Sequence, residues 1–138
     1  MSNPVTRPRG LRILVVDDQP GSALALALLL KREGYDVETA VSVEGAFEAA
    51  TSGRGVDLLI SDIGLPDGDG YELLRRVRDA YRRDVPAIAV TGSGEPKDAE
   101  NCRLAGYSRF FLKPITLPDL LAAVGAINAQ LCDESAIG

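Results

Sequence analysis

The stretch Ile13-Leu14-Val15-Val16-Asp17-Asp18 sets a pattern that three later stretches repeat, in which polar groups directly follow a short apolar run. The later examples are Leu58-Leu59-Ile60-Ser61 before Asp62, Ala87-Ile88-Ala89-Val90 before Thr91, and Phe110-Phe111-Leu112 before Lys113-Pro114. Apolar runs of about four to five residues, separated by helix-like stretches, are typical of buried parallel strands. In an open parallel sheet the functional crevice lies outside the carboxyl ends of the strands. The sequence therefore predicts three carboxylates, a hydroxyl and an ammonium at one edge of one sheet.

The hydrophobic periodicity predicts five strands that alternate with five helices. The predicted strands are Arg12–Val16, Asp36–Ala40, Leu58–Ser61, 87–90 and Arg109–Leu112, and the predicted helices are 20–33, 43–52, one containing 71–78, 97–105 and 117–131. Pro20 suits the first turn of its helix, and Gly34 suits a left-handed C-terminal cap. Right-handed crossovers then give a three-layer α/β/α sandwich. Residues 1–10 are predicted to be a flexible leader, 11–131 the folded domain and 132–138 a tail.

Composition excludes several classes of function. The chain has 138 residues, the length of one domain, and its net charge of -5 without a basic cluster argues against a nucleic-acid partner. No apolar stretch approaches the roughly 18 residues of a membrane span, and no signal peptide is present. Cys102 and Cys132 form no CxxC motif, which favours cytoplasmic thiols over a disulfide framework. The absence of histidine excludes histidine metal sites, histidine triads and an internal phosphohistidine.

Asp17, Asp18 and Asp62 are candidate metal ligands. Taken singly, an Asp between a strand and a helix is more typical of an N-cap. Three carboxylates at one sheet edge repel one another unless a cation is present. A hard divalent ion with oxygen ligands supplies that charge, and Mg²⁺ fits best, with Mn²⁺ as a possible substitute.

Lys113 and Thr91 are candidate phosphate-binding residues. Each has an ordinary interpretation, as a surface lysine and as a β-branched strand residue. At a strand end, however, the Lys113 ammonium can pair with Asp62 and then with phosphate oxygens. Gly92 leaves its backbone N–H accessible to an anion. The loop Gly92-Ser93-Gly94 is not a Walker loop, because no Gly-Lys-Ser/Thr follows it.

The order of these motifs resembles the receiver domain of bacterial two-component response regulators. The resemblance rests on Asp17-Asp18, on Asp62-Ile63-Gly64-Leu65-Pro66-Asp67-Gly68-Asp69-Gly70, on Thr91-Gly92 and on Lys113-Pro114, and it covers roughly residues 12–131. It implies a doubly wound, flavodoxin-like parallel sheet of strand order 2-1-3-4-5 flanked by five helices. The predicted domain 11–131 would then be a receiver domain.

The resemblance also implies a role for each site residue. Asp62 would accept a phosphoryl group from a phosphohistidine of a histidine kinase or a histidine phosphotransfer protein. Asp18, Asp62 and the backbone carbonyl of Gly64 would ligate Mg²⁺, with Asp17 acting largely through a water. Thr91 and Lys113 would bind the phosphoryl oxygens, and the Lys113–Pro114 bond would be cis. Such a protein is no conventional enzyme, since it catalyses its own phosphorylation and dephosphorylation.

Three positions qualify the resemblance, and two alternatives stay open. Phe110 stands where the family often has Tyr, so a switch formed by Thr91 and Phe110 would work by packing alone. Gly64 and Ser93 offer neither an acid nor an amide to the attacking water, so the lifetime of an aspartyl phosphate is unassigned. One alternative is a receiver-like interaction module that works without phosphorylation. The other is a haloacid-dehalogenase-like phosphatase, although that class requires an acidic residue two positions after the nucleophile, where this chain has Gly64.

The first predicted helix has leucines on two opposite sides. At about 100° per residue, the face expected to cover the sheet contains Leu26, Leu29 and Leu30, with Ala23 and Ala27 on the flanks. Leu24 and Leu28 fall on the opposite side. Two exposed leucines can be incidental, but an apolar stripe beside Asp18 is suited to a partner helix. We predict that Leu24 and Leu28, together with Pro114, contact the phosphodonor or a second copy of the chain; a downstream protein is a further possible partner.

Overall fold

A five-stranded parallel sheet lies at the centre of the computed structural model, which describes residues 11–52, 55–82, 84–92 and 96–137. The predicted leader 1–10 and Ser93 lie outside the described residues. The strands are β1 (Arg12–Val16), β2 (Asp36–Ala40), β3 (Leu58–Ser61), β4 (Gly64–Leu65), β5 (Gly68–Asp69), β6 (Ala87–Thr91) and β7 (Arg109–Leu112). The main sheet has the order β2-β1-β3-β6-β7, and the short strands β4 and β5 pair separately as a hairpin. Without that hairpin, the order in chain sequence is 2-1-3-4-5, which confirms the prediction.

Helices cover both faces of this sheet. They are α1 (Pro20–Arg32), α2 (Val43–Thr51), α3 (Gly70–Tyr81), α4 (Pro96–Ala105) and α5 (Leu117–Ile137). Alternate residues of a strand point to opposite faces. Leu14 and Val16 accordingly lie in the core beneath α2, α3 and α4. Ile13 and Val15 lie in the core beneath α1 and α5. The three-layer α/β/α sandwich is therefore confirmed.

Local sequence signals account for several helix ends. Pro20 occupies the first turn of α1, and Gly34 follows that helix with a φ of 97°, as predicted. The Ser42 side chain accepts a hydrogen bond from the Gly45 N–H at 3.0 Å and caps α2. Asp69 caps α3 in the same way, through the Glu72 N–H at 2.8 Å.

The prediction of which face of α1 covers the sheet was confirmed for Leu30 and wrong for Ala23 and Ala27, which are buried. The buried residues of α1 are Ala23, Ala27 and Leu30, whereas Leu26 and Leu29 are half-buried. Small alanines let the helix approach the sheet closely, so they occupy the middle of the interface instead of its flanks. Leu24 and Leu28 are 56% and 52% exposed, as predicted.

The last strand and the last helix also differ from expectation. Both β7 phenylalanines are half-buried and Leu112 is exposed, because β7 lies at the edge of the described sheet, where it pairs with β6. Helix α5 continues past Leu131 to Ile137, because no Gly or Pro interrupts residues 132–137. Leu117 is exposed at the start of α5, while Ala123 is buried. Among the helices of the described residues, none combines the length and the apolar character that a membrane span requires.

Candidate functional site

Four polar side chains lie at the carboxyl ends of four neighbouring strands. Asp17 follows β1, Asp62 follows β3, Thr91 ends β6 and Lys113 follows β7. The backbone pairing of the sheet extends to these positions, since the Asp62 N–H donates to the Val16 carbonyl and the Lys113 N–H donates to the Thr91 carbonyl, both at 2.8 Å. The main chain therefore holds these groups in register with the sheet, and the predicted convergence is present.

The Lys113 ammonium bridges two carboxylates. Its Nζ donates to Asp17 Oδ2 at 2.7 Å and to Asp62 Oδ2 at 2.9 Å. The side chain of Asp17 is 3% exposed and that of Asp62 is 10% exposed. Burial alone would lower the pKa of Lys113, but its hydrogen bonds to the two carboxylates outweigh that effect and raise the pKa. Lys113 therefore stays charged. Its pairing with Asp62 was predicted, and its pairing with Asp17 was not.

The three candidate metal ligands form one cluster. Carboxylate oxygens of Asp17, Asp18 and Asp62 all lie within 4.8 Å of one another, with Asp18 exposed and the other two buried. Asp17 Oδ1 also accepts a hydrogen bond from the Gln19 N–H at 2.9 Å, which orients its carboxylate. An all-oxygen, anionic donor set fits a hard divalent cation. Gly64 lies nearby in sequence on β4, and a β carbon there would meet no atom within 4 Å.

The remaining predicted residues differ in their burial and in the elements that carry them. Thr91 is buried, and Phe110 is half-buried against the core beneath α2, α3 and α4. The Lys113–Pro114 bond is cis, as predicted, and Pro114 is exposed. Leu24 and Leu28 lie on α1, the helix that follows Asp18.

The loop after β3 is attached to α2 through Asp67. Its two carboxylate oxygens accept hydrogen bonds from the Val43 N–H at 2.7 Å and the Glu44 N–H at 3.0 Å. These backbone hydrogen bonds lower the pKa of Asp67. The sequence indicated only a turn at this position, because an Asp-Gly pair carries no information about a helix 24 residues earlier in the chain.

Sequence reasoning missed Tyr107. Its buried hydroxyl donates to the Gly70 carbonyl at 2.7 Å, behind the loop that carries Asp62. A tyrosine just before a predicted strand suggests burial, but its partner is 37 residues away and no local pattern identifies it.

Comparison with known proteins gives the same family for most of the chain. The family model of the response regulator receiver domain matches residues 13–125. The chain is 37% identical over 114 residues to the transcriptional regulatory protein TrcR of Mycobacterium tuberculosis, covering 81% of this chain and 43% of that protein. It is 34% identical over 114 residues to the sensor protein EvgS of Escherichia coli, covering 83% of this chain and 9% of that protein. The chain thus spans less than half the length of these relatives.

Solved structures of similar proteins superpose on this chain along nearly their whole length. A two-component response regulator from Clostridium difficile superposes with a TM-score of 0.81 at 27% identity, covering 88% of this chain and 98% of that one. A CheY-like receiver domain protein from Methanospirillum hungatei gives a TM-score of 0.78 at 28% identity, with coverage of 94% and 99%. Both structures therefore have the same fold as this chain.

Proposed function

The chain belongs to the response regulator receiver domain family, which has a phosphoacceptor function in two-component signalling, and we propose that Asp62 is its phosphoacceptor. The observation that supports this assignment is the pairing of Asp62 and Asp17 with one ammonium, Lys113, at 2.9 and 2.7 Å. Asp62 follows the central strand β3 and is buried, and its carboxylate pairs with Lys113 and clusters with Asp17 and Asp18.

The chemistry is an in-line transfer with Asp62 as the nucleophile. A carboxylate oxygen of Asp62 forms the new bond to phosphorus while the bond from phosphorus to the donor's histidine nitrogen breaks. Lys113 neutralises negative charge on the transferred oxygens, and the Thr91 hydroxyl donates to one of them. Hydrolysis of the acyl phosphate returns Asp62 to the carboxylate and resets the domain.

A divalent cation completes the proposed site. Asp18 and Asp62 would hold it through carboxylate oxygens and Gly64 through its backbone carbonyl, while Asp17 would act largely through a water. Mg²⁺ is the ion that we propose, with Mn²⁺ as a substitute. Such an ion neutralises phosphoryl charge when it is bound. The oxygen-only donors and the close approach of the three carboxylates support this assignment.

The phosphohistidine must lie outside these 138 residues, because they contain no histidine. We propose a histidine kinase or a histidine phosphotransfer protein as that donor. After transfer, Thr91 and Phe110 are proposed to move together, since a Thr91 hydroxyl drawn to the phosphoryl group leaves space that the Phe110 ring can fill by packing.

Beryllofluoride, which mimics an aspartyl phosphate, separates this proposal from a module that works without phosphorylation. With Mg²⁺ present, we expect backbone amide shifts at Asp62 and Thr91 and across residues 97–121. Without Mg²⁺, the same addition serves as the control and leaves the spectrum unchanged. A spectrum that does not respond in either condition contradicts the proposal. A response confined to the Asp62 and Thr91 loops contradicts the switch through Phe110.

Leu24 and Leu28 are proposed to contact the phosphodonor's helices or a second copy of this chain. They lie one turn apart on the outer side of α1 and are 56% and 52% exposed. Helix α1 begins beside Asp18, so a helical partner that delivers phosphate to Asp62 passes over its first turns. Pro114, which is exposed next to Lys113, is proposed as a further contact with that partner.

Replacing both leucines with Glu is expected to slow transfer from a phosphorylated histidine protein by about tenfold or more, the effect of losing a central apolar contact. Labelling by acetyl phosphate stays unchanged, because the small donor needs no docking surface. The measurement compares the variant with the unsubstituted protein in the transfer rate, the acetyl phosphate labelling rate and the sedimentation coefficient. Leu104→Glu is the control, since this leucine is at least as exposed as Leu24 and Leu28 but lies on α4. Unchanged transfer and unchanged self-association in the α1 variant would contradict the proposed docking role of Leu24 and Leu28.

A further inference from the structure

Tyr107 lies in the turn that joins α4 to β7, and backbone hydrogen bonds tie this turn to the end of α4 and to the sheet. Its N–H donates to the Cys102 carbonyl at 2.9 Å, which closes the last turn of α4. The next residue, Ser108, donates from its N–H to the Ala87 carbonyl at 2.8 Å, at the start of the β6–β7 pairing. A displacement of the Tyr107 backbone is therefore a displacement of the end of α4 and the beginning of β7.

The side chain of Tyr107 points away from this turn, and its hydroxyl contacts the end of the loop that follows β3. It donates to the Gly70 carbonyl at 2.7 Å. The Ser61 hydroxyl donates to the Asp62 carbonyl at 2.7 Å in the same buried region. Burial raises the pKa of Tyr107, although a hydrogen bond with the Ser61 side chain acts in the opposite direction, so the hydroxyl remains a protonated donor. One side chain thus links the α4–β7 turn to the backbone around Asp62.

The packing around Gly70 has no spare room. A β carbon at Gly70 would lie 2.8 Å from the Asp62 carbonyl oxygen and 3.0 Å from both Ile63 Cδ1 and the Tyr107 hydroxyl oxygen. The Gly70 N–H also donates to the Ile63 carbonyl at 2.7 Å. Because these groups already touch, a shift of the backbone at Asp62 displaces Gly70, and Tyr107 must follow or lose its hydrogen bond. Loss of a buried hydrogen bond is unfavourable, so we expect Tyr107 to move together with Gly70.

We propose that Tyr107 is a positioning residue whose hydroxyl couples the Asp62 loop to the end of α4 and the start of β7. This inference rests on the proposed function, since it assumes that phosphoryl transfer to Asp62 shifts the loop. It assigns the polar part of the coupling to Tyr107, because Phe110 has no hydroxyl.

The test is the Tyr107→Phe variant of the full chain, followed by backbone amide shifts during addition of beryllofluoride and Mg²⁺. The variant keeps the ring in the core and removes only the hydroxyl. The Gly70 carbonyl, at the first residue of α3, keeps the helical N–H four residues on as a partner, so the fold is retained. We expect the shifts at Asp62 and Thr91 to stay as in the unsubstituted protein. The shifts at residues 104–112 should fall to about half or less, since one of the links between the two regions is lost.

Tyr71→Phe is the matched control, because the Tyr71 hydroxyl lies 3.8 Å from the Cys102 sulfur, between α3 and α4. Loss of the distant shifts in Tyr107→Phe, with retention in Tyr71→Phe, supports the proposal. Retention in both variants overturns it, and so does an equal loss in both, which would indicate general packing of α3 against α4. No response at Asp62 and Thr91 in the unsubstituted protein overturns the proposed function, and this inference with it.

Discussion

The Asp62→Asn variant is expected to take up no phosphoryl group from acetyl phosphate or phosphoramidate, whereas the unsubstituted protein takes up one. The amide that replaces the carboxylate is a poor nucleophile, and it no longer offers a charged partner to Lys113. Asn is similar in size to Asp, so the packing next to Ser61 is preserved. The measurement is the intact mass of each protein after incubation with the donor and Mg²⁺.

Asp69→Asn is the matched control for this variant. It removes a carboxylate from the same loop but keeps the cap on α3, because Asn accepts the Glu72 N–H hydrogen bond as Asp does. We expect it to be labelled like the unsubstituted protein. Equal labelling of Asp62→Asn would contradict the assignment of the nucleophile.

The Lys113→Ala variant is expected to show two opposite effects. Removing a donor that is aimed at the transferred oxygens slows labelling by acetyl phosphate by about 10²- to 10³-fold. Removing the ammonium from between Asp17 and Asp62 also removes the cation that competes with a metal ion for these carboxylates. Mg²⁺ should therefore bind about tenfold more tightly to the variant. Calorimetry is suited to that comparison, since the chain contains no Trp to report binding by fluorescence.

Lys31→Ala is the control for Lys113→Ala, because Lys31 is an exposed lysine in the last turn of α1. It should change neither the labelling rate nor the Mg²⁺ affinity. Labelling of Lys113→Ala at the unsubstituted rate, or weaker Mg²⁺ binding by it, would contradict the proposed arrangement of charges.

Much of the fold could be predicted because its signals are local. Strands β1, β2, β3 and β7 have the predicted bounds, since each apolar or alternating run is limited by turn residues or by a charged residue. The rule that parallel strands present their carboxyl ends at one edge then predicted that Asp17, Asp62, Thr91 and Lys113 would lie near one another. No long-range information was needed for that step.

The errors and omissions arise where packing between distant elements decides the outcome. Leucines occur on several sides of α1, so periodicity alone does not identify the face that meets the sheet, and the small residues Ala23 and Ala27 occupy it. The cap that Asp67 places on α2 and the contact between Tyr107 and Gly70 join residues 24 and 37 positions apart. Neither contact has a signature in the local sequence, because each depends on how helices lie on the completed sheet.

Borohydride reduction of the phosphorylated protein tests the central claim most directly. The reagent converts an aspartyl phosphate to homoserine, and peptide mass spectrometry then identifies the converted position. We predict conversion at Asp62 alone, only when Mg²⁺ accompanies the phosphodonor, and none in excess EDTA. Conversion at another aspartate, or conversion at Asp62 that persists in EDTA, would contradict the account.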